Sequence, residues 1–577
     1  MIFRNRKRPY PLYETTKFRD FREMVENATD RFPNRPAFRY KDKPTDKETK
    51  TVSFSACRKT VRALAAEAHV RGYAGQKIAM IGAASVEWFL TYFALPIAGV
   101  ITVPIDRELP VADAASILNT AECSCVFYGG AQRKKIEELR ALVPSLRDFV
   151  EFGDAADFAE SFADFCAAGE RAIAEPAVID WYERHEIDID SVSSIVFTSG
   201  TTGKGKGVML SQRNICADME CAMYYFQITR RTMFVLPPHH TFGSTVNLVG
   251  HFAQGSEICI SAGLRYIPSE LKEYQPTHLI LVPLFVETFY KRILATAEKE
   301  GKLKTLRRMI RISDALRKVG IDLRPLLFRS VRASFGGKLH MIICGGAALN
   351  QAIIDFFESI GIVILNGYGI TECAPLISCN RNECRRPGSV GRPIAEGQVR
   401  ILSPDENGEG EICYKGPNVM LGYYRNEEAT REVFTEDGWF RTGDLGRIEE
   451  DRGDSWIYIT GRSKNLIILS NGKNVYPEEI ESDIGQIYGV SEAVVYEGES
   501  KSDPDLELIV AEIFPDAEAL MRRGIDDPQK YFEEEVRKIN AKNAGYKAVG
   551  RVKLRLEEFL KNTSRKIIRY RIDRTVD

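Results

Sequence analysis

The sequence predicts an α/β protein with largely parallel sheets, built as a large N-terminal domain followed by a small α+β domain. Up to about Arg392, short runs of apolar and β-branched residues alternate with helical patterns, which is typical of βαβ units. Beyond Arg392, short strands alternate with turn-rich segments, and after Arg462 the pattern changes again. The two changes of pattern, near Arg392 and near Arg462, mark the expected boundaries between the parts of the chain.

Buried strands are expected at six places in the first part of the chain, and these are Lys77–Ile81, Cys123–Tyr128, Ser194–Phe197, Leu279–Val282, Met341–Cys344 and Val363–Leu365. A capped helix is expected from Ser211 onward, and another helix over Gln351–Ser359. We therefore expect two α/β sheets in this part, with a β-barrel-like antiparallel subdomain after them.

The domain boundary is placed at Gly461–Lys464, where the last turn-rich segment ends. This gives an N-terminal domain of residues 1–462 and a small C-terminal domain of residues 463–577. A helix near Pro528–Ile539 and a basic terminal segment belong to the second domain.

Composition excludes several classes of protein. The chain has 577 residues and a formal net charge of −1, so as a whole it has no electrostatic preference for nucleic acid. Its twelve cysteines are scattered without a CxxC pair, which favours reduced thiols in a cytoplasmic protein over a disulfide framework. The basic N-terminus lacks the apolar segment expected of a signal peptide.

One stretch, Trp88–Ile105, contains eighteen residues without a charge, and that length would permit a membrane span. Pro96, Gly99 and Pro104 interrupt it, and its last part is rich in valine and isoleucine. A buried helix that ends near Leu95, followed by a turn and a core strand, accounts for the same residues and is the interpretation we favour.

The clearest chemical signal is the segment Thr198–Val208, which follows the predicted strand Ser194–Phe197. It holds four glycines and four hydroxyl residues, so backbone N–H groups and hydroxyls can surround an anion. A Walker loop needs a hydroxyl where Gly207 stands, and a flexible linker would not lie between a buried strand and a capped helix. The candidate polyphosphate-binding residues are Thr198, Ser199, Gly200, Thr201, Thr202, Gly203 and Lys206.

This segment resembles the phosphate loop of the adenylate-forming enzymes, which include acyl-CoA synthetases, peptide-synthetase adenylation domains and firefly-type luciferases. Those loops usually have proline where Gly205 stands. Further motifs of the family follow in the family's order. The resemblance implies that ATP, with Mg²⁺, and a carboxylic acid form an acyl-adenylate and pyrophosphate, and that the acyl group then passes to coenzyme A.

The segment from Tyr368 to Glu372 resembles the family's adenine and magnesium motif. The resemblance implies that Tyr368 stacks on adenine, that Thr371 contacts the α-phosphate and that Glu372 holds Mg²⁺. Thr201 of the phosphate loop is the second expected metal ligand. On residue type alone, Glu372 would be a solvated loop carboxylate.

Two more segments resemble nucleotide contacts of the family. Gly345, Gly346 and Ala347 match its glycine pair near the adenine and the acyl pocket. Asp444 matches the residue that accepts hydrogen bonds from the ribose, and Arg462 matches a ribose or phosphate contact. Without the resemblance, the glycines would indicate a tight turn and Asp444 a turn aspartate.

The segment Leu236–Gly243 resembles the family's acid-binding motif. His240 stands where the family usually has histidine, and His239 where it usually has an aromatic residue. One of the two is expected beside the substrate carboxylate. Metal binding is not expected there, because adjacent side chains rarely chelate one ion.

Three positions near the C-terminus resemble residues of the family's mobile domain. Lys464 matches the hinge, Gly472 matches the pantetheine channel, and Lys566 matches the catalytic lysine that bridges the carboxylate and the α-phosphate. Asn562 and Arg565 depart from the common motif toward the form found in long-chain enzymes. Residue type alone would make this segment a basic tail.

The region Leu327–His340 and the insertion Lys302–Lys318 before it resemble long-chain fatty acyl-CoA synthetases, which implies a fatty acid substrate. The insertion carries seven Lys or Arg and one Asp, and Leu303, Leu306 and Ile310 fall on one helical face. Such a helix either docks on an anionic bilayer or packs on the body of the protein. The expected location is cytoplasmic, with peripheral contact at the inner face of the membrane in the first case.

Three alternatives to a fatty acid–CoA ligase stay open. The acyl acceptor would be a carrier protein or oxygen in the first, and the acid would be shorter or aromatic in the second. A non-catalytic nucleotide-binding protein would be expected to lack Lys566, Glu372 or Asp444, and all three are present.

Overall fold

The computed structural model describes residues 13–198, 205–451, 454–469, 473–500, 502, 508–543, 545–561 and 567–576. The chain divides into two compact units. The large unit comprises Met1–Gln398, Lys415–Phe440 and Arg452–Trp456, and the small unit comprises Val399–Tyr414, Arg441–Asp451 and Ile457–Asp577.

The strands, in chain order, are β1 (Pro36–Tyr40), β2 (Lys50–Ser53), β3 (Lys77–Ile81), β4 (Ile101–Ile105), β5 (Cys125–Gly129), β6 (Asp148–Phe152), β7 (Glu160–Ser161), β8 (Val192–Thr198), β9 (Lys206–Ser211), β10 (Arg231–Phe234), β11 (Glu257–Ile260), β12 (His278–Leu281), β13 (Met341–Cys344), β14 (Val363–Gly369), β15 (Leu376–Cys379), β16 (Arg392–Pro393), β17 (Gln398–Leu402), β18 (Gly410–Lys415), β19 (Gly422–Tyr423), β20 (Phe440–Asp451), β21 (Asp454–Arg462), β22 (Ile467–Ile468), β23 (Asn474–Val475), β24 (Val490–Glu497), β25 (Ile509–Pro515) and β26 (Arg551–Leu554).

The α-helices, in chain order, are α1 (Phe21–Arg31), α2 (Phe54–Val70), α3 (Val86–Ile97), α4 (Val111–Ala121), α5 (Arg133–Leu142), α6 (Phe162–Ile173), α7 (Pro176–Arg184), α8 (Gln212–Met223), α9 (Gly250–Ala253), α10 (Ile267–Tyr274), α11 (Pro283–Lys299), α12 (Leu303–Lys318), α13 (Arg324–Leu327), α14 (Arg329–Ala333), α15 (Gln351–Ser359), α16 (Glu427–Glu432), α17 (Pro477–Ile484), α18 (Ala517–Arg522) and α19 (Pro528–Asn540). Phe242–Val249 forms a π-helix that leads into α9.

An eight-stranded sheet of order β19-β9-β8-β4-β3-β5-β6-β7 carries the predicted phosphate loop. Its central strands pair in parallel, as the alternation of strand and helix patterns in the sequence predicts. At β8 the direction reverses, because β9 returns antiparallel to it with Thr198 paired to Lys206. The loop therefore begins and ends on neighbouring strands of one sheet.

A second sheet has the order β12-β13-β14-β15-β16. Strands β12, β13 and β14 are parallel, and β15 pairs antiparallel with the end of β14. The sequence places Tyr368 after a strand that ends at Leu365, and this is wrong, because β14 continues to Gly369. The extension exists because Gly367–Gly369 pair with β15 after β13 has ended.

Two α/β sheets are thus confirmed in the large unit. This unit also contains a four-stranded sheet of order β10-β11-β1-β2. Predicted elements β3, β13 and α15 have the predicted bounds, and α8 begins after its cap Ser211. The turn-rich region forms a sheet of order β17-β18-β20-β21, and its closure into a barrel stays a prediction.

The uncharged stretch Trp88–Ile105 is a buried helix and a core strand, as predicted. Helix α3 continues through Pro96 to Ile97, two residues beyond the predicted end, and β4 follows in the centre of the sheet. Within the described ranges, no helix combines the length and the apolar character that crossing a bilayer requires.

Helix α12 places its apolar stripe inward. Leu306 is buried, and Met309 and Ile310 pack against the core that surrounds β12–β14. The apolar stripe predicted from the sequence therefore packs on the body of the large unit, which is the second of the two expected arrangements, and contact of this helix with a bilayer stays a prediction.

In the small unit, β24, β25 and β26 form a sheet that packs on α17 and α19. Ile567, Ile572 and Val576 pack against a second cluster on this sheet, which includes Tyr496 and Phe559. The described residues of the C-terminal segment are therefore part of a core.

All twelve cysteines lie within the described residues, and none of them forms a disulfide. Cys166 and Cys384 are half-buried, and the other ten are buried.

A pair of histidines is buried completely in the core of the large unit. The Nε2 atoms of His251 and His278 lie 2.7 Å apart, and His251 Nδ1 lies 2.8 Å from the Val246 carbonyl oxygen. Burial lowers the pKa of His251 to about 4, and it lowers the pKa of His278 well below 6.5. Both rings are therefore neutral at pH 7 in the folded protein.

This pair predicts that the protein loses stability on acidification. Below pH 6.5 the unfolded chain protonates both histidines, while the folded chain protonates His251 only near pH 4. We expect the free energy of unfolding to fall by about 2 kcal/mol per histidine between pH 8 and pH 5. Denaturant unfolding at both pH values measures it, and the variant His251→Gln/His278→Gln should lack this part of the fall. An equal fall in that variant would contradict the assignment.

Candidate active site

The ends of the phosphate loop are fixed by the β8–β9 hairpin. Thr198 Oγ1 lies 3.3 Å from the Lys206 carbonyl oxygen, and the two residues pair across the strands. A Cβ on Gly207 would lie 2.9 Å from Ile195 Cγ2, so this strand approaches β8 closely only with glycine. Of the predicted loop residues, Ser199, Gly200, Thr201, Thr202 and Gly203 lie outside the described residues.

Lys206 and Glu372, predicted from separate motifs, meet at Tyr423. The Tyr423 hydroxyl donates to Glu372 Oε1 at 2.8 Å, and Lys206 Nζ lies 4.7 Å from the centre of the Tyr423 ring. Tyr423 reaches this place because β19 pairs with β9 next to the loop. Burial is the main cause, and the neighbouring Glu372 carboxylate the second, that raises the pKa of Tyr423 far above its usual range. The phenol therefore keeps its proton and stays a hydrogen-bond donor.

A buried polar network holds the turn that carries Glu372. Asn418 Nδ2 donates to the Cys373 carbonyl oxygen at 2.6 Å and to the Asp218 Oδ1 atom at 2.9 Å. The backbone N–H of Leu376 also donates to Asp218, and the N–H of Met420 donates to the Glu372 carbonyl oxygen. The turn is thus fixed on both sides. Thr371, the predicted α-phosphate contact, is buried at the start of the turn.

Sequence reasoning missed Tyr423, Asp218 and Asn418. Asp218 resembles any polar residue in a helix, and Asn418 and Tyr423 lie in a turn-rich stretch. Each acts through a partner that is distant in sequence, so no local pattern could have identified it.

Gly345 and Tyr368 lie at the carboxyl ends of neighbouring parallel strands, the edge at which α/β proteins usually bind ligands. Gly345 is buried, and a Cβ there would lie 3.0 Å from the Gly367 carbonyl oxygen and 3.4 Å from Phe242 Cζ. Gly346 has a φ of +89°, which favours glycine, and it is exposed together with Ala347.

The two histidines of the acid-binding motif make different contacts. His240 Nδ1 accepts a hydrogen bond from the backbone N–H of Phe242 at 3.2 Å. His239 Nε2 lies 3.5 Å from Oδ2 of Asp106, a buried residue that follows β4. Sequence reasoning missed Asp106, which has no motif around it.

In the small unit, the two predicted ribose contacts lie together. Arg462 Nε lies 2.9 Å from Asp444 Oδ1, and the Asp444 side chain is buried while that of Arg462 is 55% exposed. Lys464 lies in the short turn Ser463–Asn465, whose Asn465 Nδ2 donates to Glu478 at 2.6 Å. Gly472 and Lys566 lie outside the described residues.

The structure therefore brings the predicted residues together in three groups. In the large unit, Thr198 and Lys206 lie with Glu372 around Tyr423, and Gly345 lies with the His240 segment through Phe242. In the small unit, Asp444 lies with Arg462.

The chain is similar to known proteins in sequence and in fold. The family model described as AMP-binding enzyme matches residues 25–424. A long-chain-fatty-acid–CoA ligase of Mycobacterium bovis is 28% identical over 440 residues, which are 73% of this chain and 71% of that protein. A chloroplastic long-chain-fatty-acid–acyl-carrier-protein ligase of Arabidopsis thaliana is 32% identical over 354 residues, 52% of this chain and 48% of that protein.

A solved structure with the same fold is the ATP-bound MatB of Rhodopseudomonas palustris. It is 24% identical, with a TM-score of 0.73, and the match covers 95% of this chain and 97% of that one. With the family model matched over most of the sequence and the motif residues assembled as described, the chain belongs to the AMP-binding enzyme family.

Proposed function

We propose that the protein is a long-chain fatty acid–CoA ligase. It forms an acyl-adenylate from a fatty acid and ATP with release of pyrophosphate, and it transfers the acyl group to coenzyme A, leaving AMP. The observation that carries the proposal is the meeting of Lys206 and Glu372 at Tyr423, because it assembles phosphate-binding and metal-binding groups from distant motifs. Names of relatives such as the Mycobacterium bovis ligase support the choice of acid and acceptor.

The predicted residues take these roles. The loop from Thr198 to Lys206 binds the phosphates, Tyr368 and Gly345–Ala347 bind adenine, and Thr371 contacts the α-phosphate. His240 binds the carboxylate of the acid.

The remaining roles belong to residues 463–577, proposed as a mobile domain that moves about Lys464 relative to residues 1–462. Asp444 and Arg462 bind the ribose, and Lys566 neutralises the charge that develops at the α-phosphate. Gly472 lines the path of pantetheine. Movement of such a domain between two steps is a common way to exchange one set of catalytic groups for another.

The residues around Glu372 fit a magnesium ion that is held together with substrate phosphates. No group of three or more His, Cys, Asp or Glu side chains in the described part of the chain could hold a metal alone. Mg²⁺ commonly binds through one or two carboxylates plus phosphates, so a half-buried Glu372 with one oxygen on Tyr423 is sufficient. Thr201 is proposed as the second ligand. The bound ion would supply positive charge to the phosphate oxygens.

A second candidate function is transfer of the acyl group to a carrier protein. The Arabidopsis thaliana relative favours it, because its name gives an acyl-carrier-protein acceptor and it is 32% identical. Both candidates share the adenylation step and differ only in the thiol that receives the acyl group.

We expect exchange of labelled pyrophosphate into ATP that depends on the acid and is greatest with long fatty acids. The assay uses acids from acetate to oleate, with and without coenzyme A, because exchange reports adenylation and the thioester reports the acceptor. Exchange without acyl-CoA would move the assignment to the carrier-protein ligase. Greatest exchange with short or aromatic acids would contradict the proposed substrate.

A variant that separates the two steps in this assay is Lys566→Ala. We expect it to abolish exchange while sparing thioester formation from supplied acyl-adenylate, because Lys566 acts on the α-phosphate only in the first step. Equal loss of both steps would contradict that role.

A separate prediction concerns Tyr423→Phe, which removes the hydroxyl on Glu372 and keeps the ring beside Lys206. We expect the Mg²⁺ concentration needed for half-maximal exchange to rise about tenfold, because a hydrogen bond to a charged group contributes roughly 1.5–3 kcal/mol. Tyr424→Phe is the control at the next position. If both variants need the same Mg²⁺ concentration as the wild type, Tyr423 does not orient Glu372.

We further propose that the outer face of α12 and the segment after it contact an anionic lipid bilayer. Five cations on this face are exposed: Lys304, Arg307, Arg308, Arg311 and Lys318. Beside them are four exposed apolar side chains: Ile312 (45% exposed), Val319 (73%), Ile321 (48%) and Leu326 (72%). Cations around apolar side chains are complementary to anionic headgroups above acyl chains, and the fatty acid substrate partitions into the same layer.

This surface predicts binding to vesicles that contain phosphatidylglycerol and weak binding to vesicles of phosphatidylcholine alone. Arg308→Glu/Arg311→Glu should reduce co-sedimentation at least tenfold, because it removes two attractions and adds two repulsions. Lys134→Glu/Arg171→Glu makes the same charge change on exposed residues of other helices. Equal loss in both double variants would indicate a general effect of net charge and would contradict a defined docking face.

A further inference from the structure

The pair of His239 and Asp106 lies where the two α/β sheets present their carboxyl edges. Strands β4 and β8 are parallel with Thr102 opposite Ser194, and Asp106 and Thr198 each lie four residues beyond that pair. Asp106 therefore ends its strand beside the first residue of the phosphate loop. Three residues after His239, Phe242 packs at Gly345 on the edge of the other sheet. The His239 segment thus spans from the phosphate end of the site to the end proposed to hold adenine and the acyl group.

The contacts of the two adjacent histidines favour the same tautomer, with the proton on Nε2. His240 Nδ1 accepts the Phe242 N–H, so the proton of the neutral ring is on Nε2, and His240 is a donor. His239 Nε2 lies 3.5 Å from Asp106 Oδ2, a buried oxygen to which no described group donates a hydrogen bond, while Asp106 Oδ1 accepts the Glu108 N–H at 2.8 Å. A proton on Nε2 of neutral His239 is the one placed to reach this oxygen, which leaves Nδ1 as the acceptor.

Of the two steps of the proposed reaction, only the second requires removal of a proton. The fatty acid is already a carboxylate at pH 7, so it attacks the α-phosphorus without a base. An alkyl thiol with a pKa of about 8.5 is mostly protonated at pH 7, and its thiolate is the nucleophile. A proton acceptor in this site is therefore useful to thioester formation and not to adenylation.

We propose that His239 is the general base that takes the proton of the acceptor thiol, with Asp106 as the positioning residue that fixes its tautomer. The inference rests on the proposed function. The thiol S–H proton moves to His239 Nδ1, the sulfur forms a bond to the acyl carbon, and the bond from that carbon to the phosphate oxygen breaks. AMP leaves with its electron pair, and His239 then releases the proton to water.

The electrostatic surroundings keep His239 ready to accept a proton. Burial lowers its pKa below 6.5, and of the charged groups that act on it, the Asp106 carboxylate raises that pKa while the Arg107 guanidinium lowers it. The ring is therefore neutral at pH 7, and it loses the capacity to act as a base as the pH falls through its lowered pKa. A buried carboxylate beside a histidine is a common means of orienting a histidine base, and here the carboxylate lies on the Nε2 side of the ring.

The test separates the two steps. Synthetic palmitoyl-adenylate is mixed with enzyme and coenzyme A in single turnovers from pH 6 to pH 9, and pyrophosphate exchange is measured on the same preparations. For His239→Gln we expect thioester formation at pH 7 to fall about 100-fold, with exchange within about twofold of wild type. The variant's rate should recover about tenfold per pH unit up to the thiol pKa, because ionised thiol needs no base.

Asp106→Asn should show the same loss and the same recovery, because an amide does not hold the required tautomer. His340→Gln is the control at an exposed histidine of the large unit, and it should match wild type in both steps. A direct measurement of the His239 pKa by NMR, through the resonance lost in His239→Gln, should give a value below 6.5 in wild type.

Three results would overturn the proposal. They are equal loss of exchange and thioester formation in His239→Gln, a loss that does not recover at high pH, and full activity of Asp106→Asn. Wild-type enzyme that forms no thioester from palmitoyl-adenylate and coenzyme A would instead contradict the proposed function itself. The two failures are therefore distinguishable.

Discussion

The antiparallel pairing of β8 with β9, within a sheet whose other central pairs are parallel, is the constraint on which the candidate active site depends. Because the chain reverses there, both ends of the phosphate loop are held on adjacent strands. Because of the same reversal, β9 pairs with β19 on its other side. Strand β19 carries Tyr423, which therefore lies beside Lys206. Pairing between backbones thus decides where a phenol, an ammonium group and the Glu372 carboxylate meet.

The turn that presents Glu372 is rigid because buried polar groups on it are bonded. Leaving a buried carbonyl or amide without a partner costs roughly 1–3 kcal/mol. Asn418 and Asp218 supply partners to the backbone at Cys373 and Leu376. Burial raises the pKa of Asp218 well above its usual range, which favours the neutral acid and avoids an isolated charge in the core. The network therefore holds the backbone of the turn at Cys373 and at Leu376.

Much of the fold could be predicted from the sequence, because local patterns determine it. Strands β3 and β13 and helix α15 have clear periodicity and clear turns around them, and their bounds were predicted correctly. The last three residues of β14 were not, because only pairing with β15 makes them a strand. The apolar stripe of α12 was predicted as well, but periodicity alone does not distinguish a protein surface from a lipid surface.

The candidate site likewise contains residues that the sequence predicts and residues that it does not. Residues in dense motifs, such as Thr198, Glu372 and His240, could be predicted as site residues because neighbouring residues identify the motif. Tyr423 and Asp106 were not, because each acts through a residue far away in the sequence. Contacts of this kind depend on sheet order and register, and a single sequence does not reveal them.

The burial of two thiols at the edge of the second sheet limits chemical damage to the protein by its own intermediate. An acyl-adenylate acylates thiolates, so an enzyme that forms one is itself exposed to modification. Cys344 lies next to Gly345 at the edge of the second sheet, and burial raises the pKa of its thiol far above the usual range. Cys379, opposite Gly367 on β15, has a pKa raised by burial to about 12. Both sulfurs stay protonated and shielded, so these two thiols compete poorly with an incoming acceptor for the reactive intermediate.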